Sequence, residues 1–199
     1  MAGHVGGAPT SALTPHGVLQ ATILGEQLCG TQFTRVLVSP WSRAWDTAQI
    51  ILARLHPPGP PPEAVDALRE RDLGKLRNRP FANLTASEHR MRLSWDSAPP
   101  GGESNRDVAV RALSALATVE GSDTVLVVSH AGPLRAVLGV LRGVPEDQIG
   151  TLKIPLTTAT WADTTAGEIA GHLHKWTTST AALDATVAEP TGRPPWPPR

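Results

Sequence analysis

Short apolar runs alternate with amphipathic segments along the chain. The runs RVLVS (35–39) and VLVV (125–128) are continuously apolar until they end, which is typical of parallel strands buried on both faces. Each leads directly into a segment with helical spacing, PWSRAWDTAQIILARL after the first and PLRAVLGVL after the second. Two such strand–turn–helix units predict an α/β fold with a mostly parallel sheet.

Turn and capping residues set the limits of two further helices. LTPHGVLQATILGEQLCG predicts a helix with Thr14 as its N-cap, Pro15 at the first helical position and Gly30 just past the end. NRDVAVRALSALATV predicts an amphipathic helix. Ser104 precedes it as a candidate N-cap, with Asp107 three residues on, although Glu103 and Ser104 could instead contribute near a binding site.

The segments between these helices have weaker patterns. HPPGPPP (56–62) predicts a surface loop, because proline interrupts both helices and interior strands. EAVDALRERDLGKL (63–76) predicts a short strand or an extended segment and then a turn around Gly74. Residues 80–100 are interpreted as a helical excursion over the binding site, and TATWAD (158–163) as a last strand.

Composition limits the domain count and the classes of partner. We expect one domain over residues 1–177 and a disordered, proline-rich tail over 178–199. Eighteen basic residues balance eighteen acidic ones, so nothing indicates non-specific binding to nucleic acid or anionic membranes. The first residues lack a signal-peptide pattern, and no apolar run approaches the roughly 18 residues that span a membrane. We therefore expect a cytoplasmic protein.

The ends of the two apolar runs carry the candidate chemistry. His130 follows the run at 125–128 and precedes a helix, whose free N–H groups attract anions. Arg43 falls in the first turn of the helix after the other run, where its guanidinium can join backbone donors around an anion. Either residue alone is commonly structural or solvated. At equivalent ends of two parallel strands, where α/β folds bind ligands, they predict a phosphate site.

Five segments strengthen this prediction because they occur together and in order: LTPHGVLQA, VLVSPWSRAWDTAQI, LRERDLG, PGGESNRDVAVR and VLVVSHAGPLR. In order and approximate spacing they resemble the motifs of the histidine phosphatase superfamily, the phosphoglycerate-mutase-like proteins, across most of residues 2–163. The resemblance implies a three-layer α/β/α fold with a mostly parallel central sheet. It also implies phosphoryl transfer through a phosphohistidine, on a small phosphorylated substrate, with no metal and no cofactor.

The resemblance assigns a role to three residues. It implies that Arg43 and His130 bind the phosphate, that His130 also acts in catalysis, and that Glu70 of RERDLG protonates the leaving oxygen. The physical chemistry agrees, because cations around the equatorial oxygens stabilise a transferring phosphoryl group. The chain is compact between RERDLG and PGGES, which favours a phosphomonoester phosphatase over a phosphoglycerate-type mutase.

One motif of the family is absent. The chain contains no Arg-His-Gly, the motif that supplies the nucleophile, and the family's first strand is missing with it. Either the given start lies downstream of the true one, or the protein is a non-catalytic relative that binds a phosphorylated ligand or a protein partner. Loss of a strand inside a sheet leaves backbone groups unpaired on its neighbours, at about 1–3 kcal/mol for each buried group. We therefore expect truncation.

Overall fold

The computed structural model describes residues 5–154 and 159–180. Its helices and strands are α1 (Pro15–Gln27), β1 (Arg35–Val38), α2 (Ser42–Leu52), β2 (Pro62–Ala64), α3 (Ala86–Leu93), α4 (Asn105–Leu116), β3 (Val125–Val128), α5 (Ala131–Leu141), α6 (Glu146–Ile149) and α7 (Ala166–Thr180). Three 3₁₀ helices, Asp66–Leu68, Gly74–Leu76 and Phe81–Asn83, lie between β2 and α3.

The three strands form a parallel sheet in the order β2-β1-β3. β1 is central, with Val38 in register with Ala64 on one side and with Val128 on the other. Parallel neighbours require crossover connections, which here contain α2 between β1 and β2, and α3 and α4 between β2 and β3. The described part of the chain has no strand before α1, and β3 is an edge strand within it.

Alternation along the strands separates two apolar cores. Val36 and Val38 pack with residues of α1 and α2 on one face of the sheet. Leu37 packs with residues of α4, α5 and α7 on the other face. Because successive side chains of a strand point to opposite faces, a buried sheet must have helices on both sides. The prediction of a three-layer α/β/α fold is confirmed.

Local capping signals are also confirmed. Thr14 accepts a hydrogen bond from the N–H of Gly17 at 3.1 Å, and α1 begins at Pro15. Ser104 and Asp107 form a capping box at the start of α4, with each side chain bonded to the other residue's backbone N–H. Caps of this kind stabilise a helix by about 1 kcal/mol each.

The predicted last strand is wrong for its described residues, 159–163, which are irregular. A strand must satisfy its backbone groups by pairing with a neighbour. In the described structure, residues 159–163 border a cavity instead of another strand. Trp161 from this segment stacks on Phe33 with 6.4 Å between the ring centroids. Residue 158 lies outside the described residues.

Two further segments differ from the sequence patterns. The helical excursion predicted over 80–100 is confirmed in part, because α3 and one 3₁₀ helix occupy it and the remainder is irregular. Helix α7 was not predicted, and it continues through Thr180, past the predicted start of the tail at 178. The remainder of that tail, 181–199, lies outside the described residues. None of the helices in the described ranges combines the length and apolar character needed to cross a bilayer.

Candidate active site

The carboxyl ends of β1 and β3 bring Ser39 and His130 together. The strands are in register up to Val38 and Val128, and the N–H of Ser39 continues the pairing by donating to the carbonyl of Val128 at 2.9 Å. The Ser39 hydroxyl and His130 Nε2 are 2.7 Å apart, and both residues are buried, at 0% and 6% exposure. The site is therefore built on the rigid end of the sheet.

His130 is held as a neutral imidazole. Burial, followed by the positive charges of Arg43 and Arg111, lowers its pKa from the ordinary 6.5 to about 3. The ring of Trp41 lies against it, with 5.1 Å between centroids. A neutral imidazole has one donor and one acceptor nitrogen. His130 can therefore donate a hydrogen bond to an anion, and a bound anion would in turn raise its pKa.

Arg43 lies in the first turn of α2, as the sequence predicts. Its guanidinium lies 4.8 Å from the centroid of the Trp41 ring, and its Nη1 donates to the carbonyl of Ala8 at 3.0 Å. The loop that carries Ala8 passes very close: a Cβ added at Gly7 would lie 3.3 Å from Arg43 Nη1. Loop and ring thus hold the guanidinium at the carboxyl end of β1.

Glu70 lies after β2 and reaches the start of α5. Its Oε1 accepts the N–H of Arg71 at 2.9 Å and the N–H of Gly132 at 3.1 Å. Only glycine suits position 132, because an added Cβ would overlap Glu70 Oε1. Burial raises the pKa of Glu70, and the two N–H donors and the charges of Arg43 and Arg135 oppose that rise. The net shift favours a carboxylic acid that can donate a proton.

A network around Glu103 supports the segment that carries Glu70. The Glu103 carboxylate accepts hydrogen bonds from Arg69 at 3.0 Å, from Arg111 at 2.8 Å and from the N–H of Asp72 at 2.8 Å. The Glu103 side chain therefore positions the Glu70 segment, while Ser104 caps α4. Arg111 was not predicted, because an arginine in an amphipathic helix normally indicates the solvated face.

Three more arginines, buried Arg71 and half-buried Arg92 and Arg135, form a positive cluster near Glu70. Burial lowers the pKa of Arg71 to about 10, and the charges of Arg92 and Arg135 act in the same direction. Arg71 Nη2 and Arg92 Nε are buried and have no hydrogen-bond partner within the described residues. The sequence gives no signal for this cluster, because its members are distant in the chain and share no spacing. It raises the positive potential around Glu70.

Arg43, Glu70 and His130 all line one cavity of about 760 Å³, so the fold brings the three predicted site residues together. The rest of the lining is mostly apolar and comes from α1, α2, β3, α5, the segment after α4 and residues 159–166, with carboxylates at Glu120, Asp123 and Asp163. Of the histidines in the described ranges, His130 alone lines the cavity, and no group of ligating side chains there could hold a metal ion. Arg43 and His130, which can donate hydrogen bonds to an anion, therefore share one cavity with the acid Glu70.

Comparisons with known proteins identify relatives of this chain. A 2,3-bisphosphoglycerate-dependent phosphoglycerate mutase of Methylobacterium sp. (strain 4-46) is 36% identical over 169 residues, which cover 77% of this chain and 81% of the relative. The corresponding mutase of Brucella melitensis biotype 2 is 37% identical over 149 residues, which cover 69% of this chain and 72% of the relative.

A solved structure and a family model complete the comparison. The mycobacterial glucosyl-3-phosphoglycerate phosphatase in complex with VO3 superposes with a TM-score of 0.67 at 26% identity, over 76% of this chain and 80% of that one. The sequence model of the histidine phosphatase superfamily (branch 1) matches residues 1–177. With a family model matched over most of its length and with close relatives among the mutases, this chain belongs to the histidine phosphatase superfamily.

Proposed function

We propose that the protein is a phosphomonoester phosphatase that acts through a phosphohistidine on a small phosphorylated metabolite. One observation carries the proposal: neutral His130 and cationic Arg43 line the same cavity as Glu70, whose pKa is raised by burial. Two donors for a phosphate and a carboxyl group whose pKa is raised by burial are groups that metal-free phosphoryl transfer uses around phosphorus.

The nucleophile of this chemistry comes from a segment that the present sequence does not contain. The sequence lacks Arg-His-Gly, and His130 alone among the described histidines lines the cavity. His130 is itself bonded to Ser39 through Nε2, which suits it to holding a phosphate oxygen. We therefore assign His130 to phosphate binding through hydrogen-bond donation. The attacking imidazole belongs to a second histidine, on a strand outside this sequence.

The reaction then has two steps. The imidazole nitrogen of that second histidine attacks phosphorus, the P–O ester bond breaks, and Glu70 gives its proton to the leaving oxygen. Water next attacks the phosphohistidine and gives a proton to Glu70. The N–P bond breaks, and inorganic phosphate leaves. In both steps Arg43 and His130 stabilise the charge on the equatorial oxygens, an effect commonly worth about 10²–10³ in rate for one donor.

A mutase is the second candidate, because the relatives at 36% and 37% identity are phosphoglycerate mutases. Against it stands the short excursion between Glu70 and α4, which contains a single eight-residue α-helix, α3. A phosphatase transfers the phosphoryl group to water, whereas a mutase must retain it for return to the substrate. Incubation with 3-phosphoglycerate separates the two, since one releases inorganic phosphate and the other forms 2-phosphoglycerate.

The deciding experiment uses the protein purified from its native cells, with its intact mass and N-terminal sequence measured first. We expect a longer chain with an Arg-His-Gly strand, and chelator-insensitive hydrolysis of a generic phosphomonoester. The His130→Ala variant of that longer chain should lose this activity. A native protein that matches the present sequence, binds phosphate and hydrolyses nothing would instead identify a non-catalytic member of the family. A requirement for a divalent metal would refute the phosphohistidine mechanism.

A further inference from the structure

The hydroxyl of Ser39 has one proton to donate, and its surroundings offer a single acceptor for it. Ser39 follows β1 and is fully buried. Its Oγ accepts the backbone N–H of Trp41 at 3.3 Å and lies 2.7 Å from His130 Nε2. Within the described residues this hydroxyl has no other hydrogen-bond partner. Because a buried donor without an acceptor is costly, the hydroxyl proton is best placed on the line to His130 Nε2.

The Nε2 atom of His130 can accept that proton only if it carries none of its own. His130 is neutral, since burial and the charges of Arg43 and Arg111 lower its pKa to about 3. A neutral imidazole is protonated on one of its two nitrogens. If Nε2 accepts from Ser39 Oγ, the imidazole proton is on Nδ1. The reverse arrangement, with Nε2–H donating to Oγ, would leave the buried hydroxyl proton without an acceptor.

The other ring nitrogen of His130, Nδ1, is the one that a ligand in the cavity can reach. His130 lines the cavity, and its Nδ1 has no hydrogen-bond partner among the described residues. The fully enclosed side-chain N and O atoms that lack a partner there are Arg71 Nη2 and Arg92 Nε, so Nδ1 is not an enclosed atom. An Nδ1–H group is therefore free to donate to a bound molecule.

We propose that Ser39 is a positioning residue that holds His130 in its Nδ1–H tautomer, so that Nδ1–H is the donor offered to an anion in the cavity. The hydrogen bond at one imidazole nitrogen commonly decides which nitrogen is protonated. In the opposite tautomer, Nδ1 would present a lone pair and repel an anion. The identity of the anion, an oxygen of the transferring phosphoryl group, rests on the proposed function, whereas the tautomer itself does not depend on turnover.

Contacts at the start of α2 keep the two partners in this arrangement. The backbone N–H of Ser39 is bonded to the carbonyl of Val128 at 2.9 Å, and the N–H of Trp41 occupies one side of the Ser39 Oγ. The centroid of the Trp41 ring lies 5.1 Å from that of His130 and 4.8 Å from the guanidinium carbon of Arg43. Because these contacts limit rotation of the hydroxyl and of the imidazole, Nε2 stays directed at Ser39.

The first test reads the tautomer of His130 directly, from NMR spectra of the imidazole nitrogens in isotope-labelled protein near neutral pH. Protonated and unprotonated ring nitrogens have widely separated resonances, and the His130 signals are those that the His130→Gln variant lacks. We expect a protonated Nδ1 and an unprotonated Nε2. A proton on Nε2 alone, or on both nitrogens, would overturn the proposal, and this measurement requires no change at Ser39.

The second test removes the hydroxyl. Ser39→Ala should populate the Nε2–H form and weaken the binding of vanadate about tenfold, the loss expected when about one tenth of the molecules are in the binding-competent form. Ser39→Thr keeps a hydroxyl and should keep the Nδ1–H form. Ser129→Ala is the matched control, because that hydroxyl also follows a strand but donates to the carbonyl of Leu68 at 2.7 Å, so the tautomer should not change. A tautomer that persists in Ser39→Ala would refute the role of Ser39.

These measurements separate the proposal from the proposed function, because neither the tautomer nor the vanadate affinity requires turnover. If the protein hydrolyses a phosphomonoester without a metal while His130 carries its proton on Nε2, the proposed function stands and the role of Ser39 fails. If the Nδ1–H form is found and is lost in Ser39→Ala, but no phosphomonoester is hydrolysed, the role of Ser39 stands and the proposed function fails.

Discussion

The two strand–turn–helix units follow the same sequence pattern, but their strands are paired and buried to different extents in the described structure. β1 lies between β2 and β3, and Val36, Leu37 and Val38 are buried. β3 has a described partner on one edge only, and its first three residues, Val125 to Val127, stay half-buried. An apolar run therefore predicts a strand, but it does not show how completely the fold pairs and buries that strand.

The comparison extends to the chemistry at the strand ends. The β1–α2 unit supplies Arg43 and Ser39, and the β3–α5 unit supplies His130 and the N–H of Gly132 that holds Glu70. Neither unit forms the site alone, since Ser39 and His130 are bonded across the strand boundary at 2.7 Å. The predictions below perturb one unit at a time. Those on activity apply to the native protein with the phosphatase activity proposed above.

The largest effect is expected at Glu70, which lies between the two units. Glu70→Gln keeps the shape but removes the acid, so hydrolysis of an alkyl phosphate should fall by about 10²–10⁴ in kcat. Hydrolysis of p-nitrophenyl phosphate should fall much less, because its leaving group needs no protonation. Steady-state kinetics on both substrates measure the difference. Equal losses on the two substrates would contradict the assignment of Glu70 as the acid.

His130→Ala tests the β3–α5 unit directly. Loss of one oxygen donor should lower kcat/KM by about 10²–10³, and should weaken the binding of vanadate to the site. His16→Ala is the matched control, because His16 is exposed in the first turn of α1 and does not line the cavity. Unchanged vanadate affinity in the His130 variant would exclude this residue from phosphate binding.

The pH dependence of folding should reveal the buried His130. Its pKa is about 3 in the folded chain against an ordinary 6.5, so the folded state binds fewer protons between these values. Its contribution to stability is thus complete above pH 6.5 and is lost as the pH falls toward 3, at up to about 1.4 kcal/mol per pH unit. Urea unfolding at several pH values measures this slope.

The matched variant for that measurement is His130→Gln, which should reduce the slope of unfolding free energy against pH. Glu70 acts in the opposite direction, because its raised pKa contributes stability at low pH that is lost as the pH rises past its ordinary value of 4.5. Glu70→Gln should therefore steepen the acid limb, since it removes the group that opposes His130. An unchanged slope in the His130 variant would mean that the imidazole is not buried in its neutral form.

The smallest expected effect is the difference in unfolding free energy lost when the same Val→Ala substitution is made in β1 and in β3. Val36→Ala in β1 should cost about 2–3 kcal/mol of unfolding free energy, because that side chain is fully buried. Val127→Ala in half-buried β3 should cost about 1 kcal/mol. Urea denaturation of both variants measures the gap. Equal losses of unfolding free energy in the two variants would contradict the half-burial of Val127.

Elements with a local cause were predictable. The helix that begins at Pro15 and the capping box of Ser104 and Asp107 depend on neighbouring residues, so the pattern predicts them within a residue. The strand at 159–163 was predicted and did not form, because a strand depends on a distant partner. Within the site, single residues that follow a strand, such as His130, were predictable. The arginines at 71, 92, 111 and 135 share no spacing, so no sequence pattern indicated them.

By itself the sequence determined the two buried runs, the helices that follow them, and the motifs that place Arg43, Glu70 and His130 in one family. These follow from near-neighbour periodicity and from residue types at short spacings. The tertiary structure decided the rest: the bond between Ser39 and His130, the pKa values that burial shifts, and the place of β3 at the edge of the sheet formed by the described residues. Such features depend on which distant segments become neighbours and on how much water they exclude, and no local pattern carries that information.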